Sequence, residues 1–264
     1  MAEASSQGGG AAVCVYSRIR PFTVEEVRRG DSQEYAWAAS PDHLEVEAQS
    51  KFHQGQRFRF DHVFDVDASN STVYETAAKP LILASMEGFN ATLFASGVTS
   101  AGKTYTMLGN EEVDGIMTLA FQDVFDYIEE HPEREFLLRC SFLELYNEKL
   151  RDLLVPENEQ PEGGLTIVTA VDDSGSVEIP EATQVILEDP SHALEVIMRG
   201  NERRHVASTV MNLTSSRSHA IFRLVIESRA LMPGEVASTP NSSRSSSPTS
   251  ATGPRRQSLR DFSD

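Results

Sequence analysis

Cysteine is scarce in this chain of 264 residues: the only two, Cys14 and Cys140, lie far apart and inside apolar segments. With no CxxC spacing and no histidine pair nearby, they form neither a disulfide framework nor a zinc site, and both are expected to be reduced, buried thiols. Basic residues are also in deficit. Against 40 Asp and Glu stand 23 Lys and Arg, a formal net charge of -17, so the chain as a whole is repelled by nucleic acid and by anionic membrane surfaces, and neither is expected as a partner. No apolar run reaches the roughly 18 residues of a spanning helix. Residues 1–10 carry neither the basic region nor the apolar stretch of a secretory signal, and a soluble, intracellular protein is the expectation. At 39% hydrophobic residues, the chain can build one sizeable domain with a real core.

Composition divides it into three. Residues 1–11 are expected to be a flexible N-terminus, and residues 232–264, dominated by Ser, Thr, Pro, Gly and Arg, a disordered segment with little to bury. That segment holds Ser247-Pro248, which fits a proline-directed kinase site, and Arg255-Arg256-Gln257-Ser258, which fits a basophilic one. Between them, residues 12–231 alternate short β-branched or aromatic runs with amphipathic stretches, the pattern of an α/β domain. Strands are expected at Ala12 to Ile19, in a surface hairpin of Leu44 to Glu47 with Arg57 to Phe60, at Asn90 to Ala95, at Glu135 to Leu145, in a pair of Leu165 to Val168 with Ser176 to Ile179, and at Ala220 to Glu227. Helices are expected at Thr72 to Met86, capped by Asn70 or Ser71, at Ile116 to Ile128, and at Ser191 to His205, capped by Asp189 or Ser191. The nearly continuous apolar run Asn90 to Ala95 reads as a strand buried on both faces.

Directly after that run comes Gly97-Val98-Thr99-Ser100-Ala101-Gly102-Lys103-Thr104, which satisfies GxxxxGK[ST] between an expected strand and an expected helix. Gly97 and Gly102 allow backbone conformations closed to other residues, so that amides can turn inward around a phosphate. The helix start faces its positive end to the charge. Lys103 supplies a cation to the β and γ phosphates, and Thr104 a hydroxyl to Mg²⁺. Binding of ATP or ADP with Mg²⁺ is the chemistry this spacing points to. A hydroxyl-rich run, Asn212-Leu213-Thr214-Ser215-Ser216-Arg217-Ser218-His219, lies between a helix and a strand. Alone it is a polar loop; beside a phosphate loop it is a candidate sensor of the γ phosphate.

These residues resemble the kinesin motor domain from about Ala12 to Arg229, with the motifs in that family's order. Arg18-Ile19-Arg20-Pro21 is similar to the RxRP turn, Phe58 to Phe64 to FxFDxVF followed by Val73-Tyr74, and Phe94 to Met107 to the phosphate loop with its TYTM continuation. Glu144 to Glu148, with Asp152-Leu153-Leu154, resembles EIYNE and DLL, and Asn212 to His219 matches the NxxSSRSH first switch. The segment Arg134 to Arg139 with the strand after it looks most like the centromere-associated kinesin-7 group. The resemblance implies a P-loop NTPase with a central mixed β-sheet flanked by helices on both faces, and an ATP-driven microtubule motor. In it Arg18, Arg20, Pro21 and Tyr105 border adenine and ribose, and Gly97 to Thr104 hold the triphosphate. Ser215 and Ser216 close on the γ phosphate, Thr104 and Ser216 reach Mg²⁺, and Arg217 latches to a glutamate of the second switch. It also implies tubulin as partner, dimerisation through a stalk outside this sequence, and a place in the cytoplasm on the cytoskeleton, at the spindle or kinetochore for the kinesin-7 group.

The departures bear on activity. Ser96 and Val98 stand where the family usually has tyrosine and glutamine, Asn90-Ala91 where it has Asn-Gly, and Thr118-Leu119 where Pro-Arg is common. The second switch, DLAGSE, occurs nowhere in the chain. The expectation is therefore the ATP-binding portion of a motor domain, incomplete at its C-terminal side, that binds nucleotide far better than it cleaves it. A non-motor nucleotide-binding or scaffold protein derived from a kinesin is the alternative. A P-loop kinase or GTPase fits less well, since no NKxD sequence is present.

Overall fold

Strand β1 (Tyr16–Arg18) runs parallel to β5 (His62–Phe64), with Tyr16 opposite His62 and Arg18 opposite Phe64. The computed structural model describes residues 13–30, 35–49, 54–169, 177–210, 218–232 and 235, with backbone alone for 205–210. The terminal segments expected to be flexible or disordered lie almost wholly outside the described residues. The first strand is shorter than the expected Ala12 to Ile19 because its parallel partner offers only three residues. Val13 and Val15 are exposed, although the Val15 amide still donates to Asp61 Oδ2 at 2.6 Å. Cys14 lies in that stretch and is exposed, which corrects the expectation of a buried thiol; Cys140 is buried as expected.

A short helix, α1 (Val24–Arg28), follows β1. Next, β2 (Trp37–Ala39), β3 (Glu45–Ala48) and β4 (Arg57–Arg59) form an antiparallel sheet, of which β3 and β4 are the expected hairpin. The long expected helix starts two residues early, at Asn70, and its cap is neither Asn70 nor Ser71. Ser69 Oγ accepts from the Thr72 amide, and α2 (Asn70–Val73) leads through one π turn, Tyr74–Ala78, into α3 (Lys79–Met86). Pro80 explains the widened turn. Proline has no amide hydrogen for the Thr76 carbonyl, and its ring would press on that carbonyl in a regular α-helix, so the chain bulges just before it. The Lys79 amide donates back to the Tyr74 carbonyl.

After α4 (Lys103–Leu108) comes α5 (Ile116–Glu130), whose apolar stripe was legible in sequence. The longest strands are β6 (Arg134–Tyr146) and, after β7 (Lys149–Asp152), the short β8 (Val168–Thr169), β9 (Val177–Glu178) and β10 (Val185–Ile186), and α6 (Pro190–Val210), the strand β11 (Ser218–Ala230). Strand β11 pairs antiparallel with β6 along its whole length, from Ser218 opposite Tyr146 to Ala230 opposite Arg134. On the other side of β6 lie β10 and β7. Asp189 caps α6 by accepting from the His192 amide at 2.9 Å.

The main core gathers Met86 from α3, Phe121 and Val124 from α5, Leu138 and Cys140 from β6, and Ala193, Val196 and Ile197 from α6. Burying each of the larger side chains stabilises the fold by about 1.5–3 kcal/mol. A second cluster joins Phe64, Val73, Tyr74, Ala77, Ala78 and Ile116, and so fixes α2 and the π turn against β5 and the start of α5. Both parallel and antiparallel pairings are present, with helices packed against β6, so the α/β class holds.

One expected strand does not form. Residues 90–97 run without strand pairing, and Phe94 is 85% exposed. An apolar run becomes a buried strand only when other strands flank it, and among the described residues none does. Among the described residues the strands pair in four separate sets.

Candidate functional site

The GxxxxGK[ST] segment forms a tight loop opening into α4. Gly102, immediately before that helix, has φ +88°, the left-handed conformation that favours glycine. Gly97 has φ +153°, and a Cβ there would lie 2.9 Å from Ala101 Cβ, so the loop closes on itself only with glycine at that position. Within the loop the Ala101 amide donates to the Val98 carbonyl at 3.1 Å. The first-turn amides of α4 have no acceptor inside their own helix. Lys103 folds back over the loop, its Nζ donating to the carbonyls of Gly97 at 2.7 Å and Val98 at 2.9 Å. Thr104 is exposed at the same helix start.

One ammonium, free first-turn amides and one hydroxyl are complementary to a polyphosphate carrying a divalent cation. No three His, Cys, Asp or Glu side chains converge on a metal site among the described residues, and Mg²⁺ held by substrate phosphates and a hydroxyl needs no such cage.

Arg18, at the end of β1, is the structural hinge of the other side. Its Nη1 donates to Asn70 Oδ1 at 2.7 Å and to Thr106 Oγ1 at 2.8 Å, and its Nη2 to the Ala68 carbonyl at 3.0 Å. The guanidinium lies 5.6 Å from the centre of the Tyr105 ring, within cation–π range. Burial pushes the Arg18 pKa down, and the neighbouring Tyr105 opposes this. Asn70 completes the circuit: its Nδ2 donates to the carbonyls of Tyr105 at 2.9 Å and Asp114 at 3.0 Å. In the sequence Asn70 reads only as a candidate helix cap. The burial of a polar side chain in a helical first turn is a tertiary fact with no sequence signature.

Arg20 is turned elsewhere. It makes a bidentate pair with Glu26, Nη2 to Oε1 at 2.6 Å and Nη1 to Oε2 at 2.8 Å, and also donates to the Pro21 carbonyl. Only its aliphatic part approaches the loop, Cδ lying 4.0 Å from where a Gly102 Cβ would sit. Thr23 and Glu26 form a reciprocal capping box on α1. The Arg20 pair and the Thr23 amide together hold the Glu26 carboxyl at about 2. Pro21 is exposed.

Ser215, Ser216 and Arg217 lie outside the described residues. Ser218, which follows them, is anchored: its hydroxyl donates to Glu144 of β6, and Arg204 of α6 places Nε 3.6 Å from the same carboxylate. A cavity of about 340 Å³ between β1 and the β2–β4 sheet, lined by Ser17, Ile19, Trp37, Val46, Phe58 and Phe60 with Arg18, includes no residue of the phosphate loop.

The kinesin motor domain model matches residues 18–246. Kinesin-like protein KIN-7D, mitochondrial, of Arabidopsis thaliana is 42% identical over 219 residues, covering 83% of this chain and 20% of that protein. Kinesin-like protein KIN-7K, chloroplastic, of Oryza sativa subsp. japonica is 40% identical over 221 residues, 84% of this chain and 20% of that protein. The chain thus spans about a fifth of the length of these curated relatives. The solved structure of a fast kinesin superposes with a TM-score of 0.74 at 30% identity, over 83% of this chain and 60% of that one. The match over most of the sequence and the shared fold agree, and the chain belongs to the kinesin motor-domain family, with the P-loop NTPase fold and a KIN-7 type sequence.

Proposed function

We propose that this chain is the ATP-binding portion of a microtubule-based motor, in which nucleotide binding and hydrolysis are coupled to the grip on tubulin. The observation that carries the reading is the phosphate loop, with its two glycine-dependent turns and the Lys103 ammonium resting on loop carbonyls that a polyphosphate would replace. Gly97, Val98, Thr99, Ser100, Ala101 and Gly102 supply the cradle, Lys103 the cation, and Thr104 with Ser216 the hydroxyls for Mg²⁺. That ion would draw charge from the transferred phosphoryl group. Arg18, Arg20, Pro21 and Tyr105 border the base and ribose, Arg20 doing so through its stem while its head stays on Glu26. Ser215, Ser216 and Arg217 close on the γ phosphate. The glutamate that would pair with Arg217 is not among these residues, so the chain as it stands binds nucleotide and turns it over slowly. Microtubules, dimerisation through a stalk, and a place on the cytoskeleton, including the spindle or kinetochore, belong to the same proposal. A steady-state phosphate-release assay with and without microtubules tests it. Slow release with little stimulation is expected, and strong stimulation by microtubules would contradict the account of Arg217.

A further inference from the structure

We infer that Asn70 is the positioning residue for the base side of the nucleotide site, setting how much a purine adds to the affinity of a bare triphosphate. The inference rests on the nucleotide reading above. Asn70 is 1% exposed, and its carboxamide is engaged at both ends: Oδ1 accepts from Arg18, while Nδ2 donates to the Tyr105 and Asp114 carbonyls. The orientation of the amide follows from its partners. A guanidinium can only donate and a carbonyl only accept, so the oxygen must face Arg18 and the nitrogen the two carbonyls.

The consequence lies in what these partners are. Helix α4 has six residues, too short to hold itself in place, and its Tyr105 turn is fastened to α2 by the Asn70 amide. Tyr105 is 40% exposed, and the Arg18 guanidinium lies 5.6 Å from the centre of its ring. Arg18 in turn is oriented by Asn70 and Thr106. One buried side chain therefore sets the position of both the flat ring and the cation beside it. The phosphate-binding end, Gly97 to Lys103, makes none of these bonds, since Lys103 is held by loop carbonyls. Loosening Asn70 should accordingly blur the base side and leave the phosphate side intact.

The test compares Mg·ATP with Mg·tripolyphosphate, each titrated against the 264-residue chain and against Asn70→Ala. Affinity for ATP should fall about tenfold, the loss of a little over 1 kcal/mol of positioning, with tripolyphosphate affinity unchanged within about twofold. Combining Asn70→Ala with Tyr105→Ala should weaken ATP binding by clearly less than the sum of the two single losses, because with the ring gone only the Arg18 cation is left for Asn70 to position. Should Asn70→Ala lose its far-UV circular dichroism, Asn70→Asp takes its place; it keeps the shape and the acceptor for Arg18 but turns a carboxylate toward two carbonyls, and the same selective loss is expected. Equal losses for both ligands, additive losses in the double variant, or no loss at all would overturn the inference. Failure of the unaltered chain to bind either ligand would instead overturn the nucleotide reading and this inference with it.

Discussion

Replacing Glu144 with alanine removes a carboxylate that is 5% exposed and serves two elements at once. It accepts from the Ser218 hydroxyl at the start of β11 and lies 3.6 Å from Arg204 Nε on α6. Arg204 also reaches the Ser218 carbonyl at 3.4 Å. The carboxylate thus joins the two elements that bracket residues 211–217. Removing one member of a fully buried ion pair costs about 3–5 kcal/mol, chiefly because the other charge is stranded. Arg204 keeps 24% of its side-chain surface in water, so part of that penalty is relieved, and about 2–3 kcal/mol is expected. With an m-value of about 2–3 kcal/mol/M, the urea midpoint should fall by about 1 M. Arg204→Ala in the same background should restore part of the loss, giving a coupling of about 1 kcal/mol or more. Urea unfolding followed by far-UV circular dichroism reads all four proteins. Losses that add within about 0.5 kcal/mol would refute the clamp.

Two further outcomes follow from the same structure. In the native protein at pH 8, Cys14 should react with a maleimide while Cys140, buried and with its thiol pushed up to about 12, should not, so mass spectrometry should find one label before unfolding and two after; two native labels would place Cys140 outside the core. The Glu26 carboxyl is held at about 2, below its ordinary 4.5, by Arg20 and the Thr23 cap. A lowered folded-state value means that its support is complete above about 4.5 and is lost as pH falls toward about 2. The protection factor of the Glu26 amide, its rate taken relative to an unstructured peptide at the same pH, should therefore fall over that window, and Glu26→Gln should remove that fall; a protection factor constant with pH in the unaltered chain would contradict it.

Much of this architecture can be read from side-chain periodicity, and the exceptions share a cause. The α5 stripe and the β6 alternation are local patterns whose burial is set by neighbours within the chain, and the structure places them at Ile116–Glu130 and Arg134–Tyr146, within two residues of expectation. The run at 90–95 has the apolar character of a central strand, but apolar character states only a requirement for partners, and the described strands do not meet it. β2 and β10, with three and two residues, are too short to show alternation. The π turn was hidden because helical spacing tolerates one extra residue, although Pro80 marked the place. At the site, the glycines and Lys103 were legible because the spacing itself carries the chemistry. The Thr23 to Glu26 capping box is equally legible in its S/T-x-x-E spacing. Asn70 was not legible, because its partners lie 35 to 52 residues away.

The central claim is that Gly97 to Thr104 hold a nucleotide's phosphates, and titration of a fluorescent ATP analogue with Mg²⁺ against the chain and its Lys103→Ala variant tests it most directly. Lys103 contributes a charge-assisted interaction of about 1.5–3 kcal/mol to each phosphate oxygen it bonds. The variant should therefore keep its circular dichroism spectrum and lose affinity on the order of 100-fold. Saturable binding by the unaltered chain with that loss in the variant is the predicted result; equal affinity in the two would contradict the account.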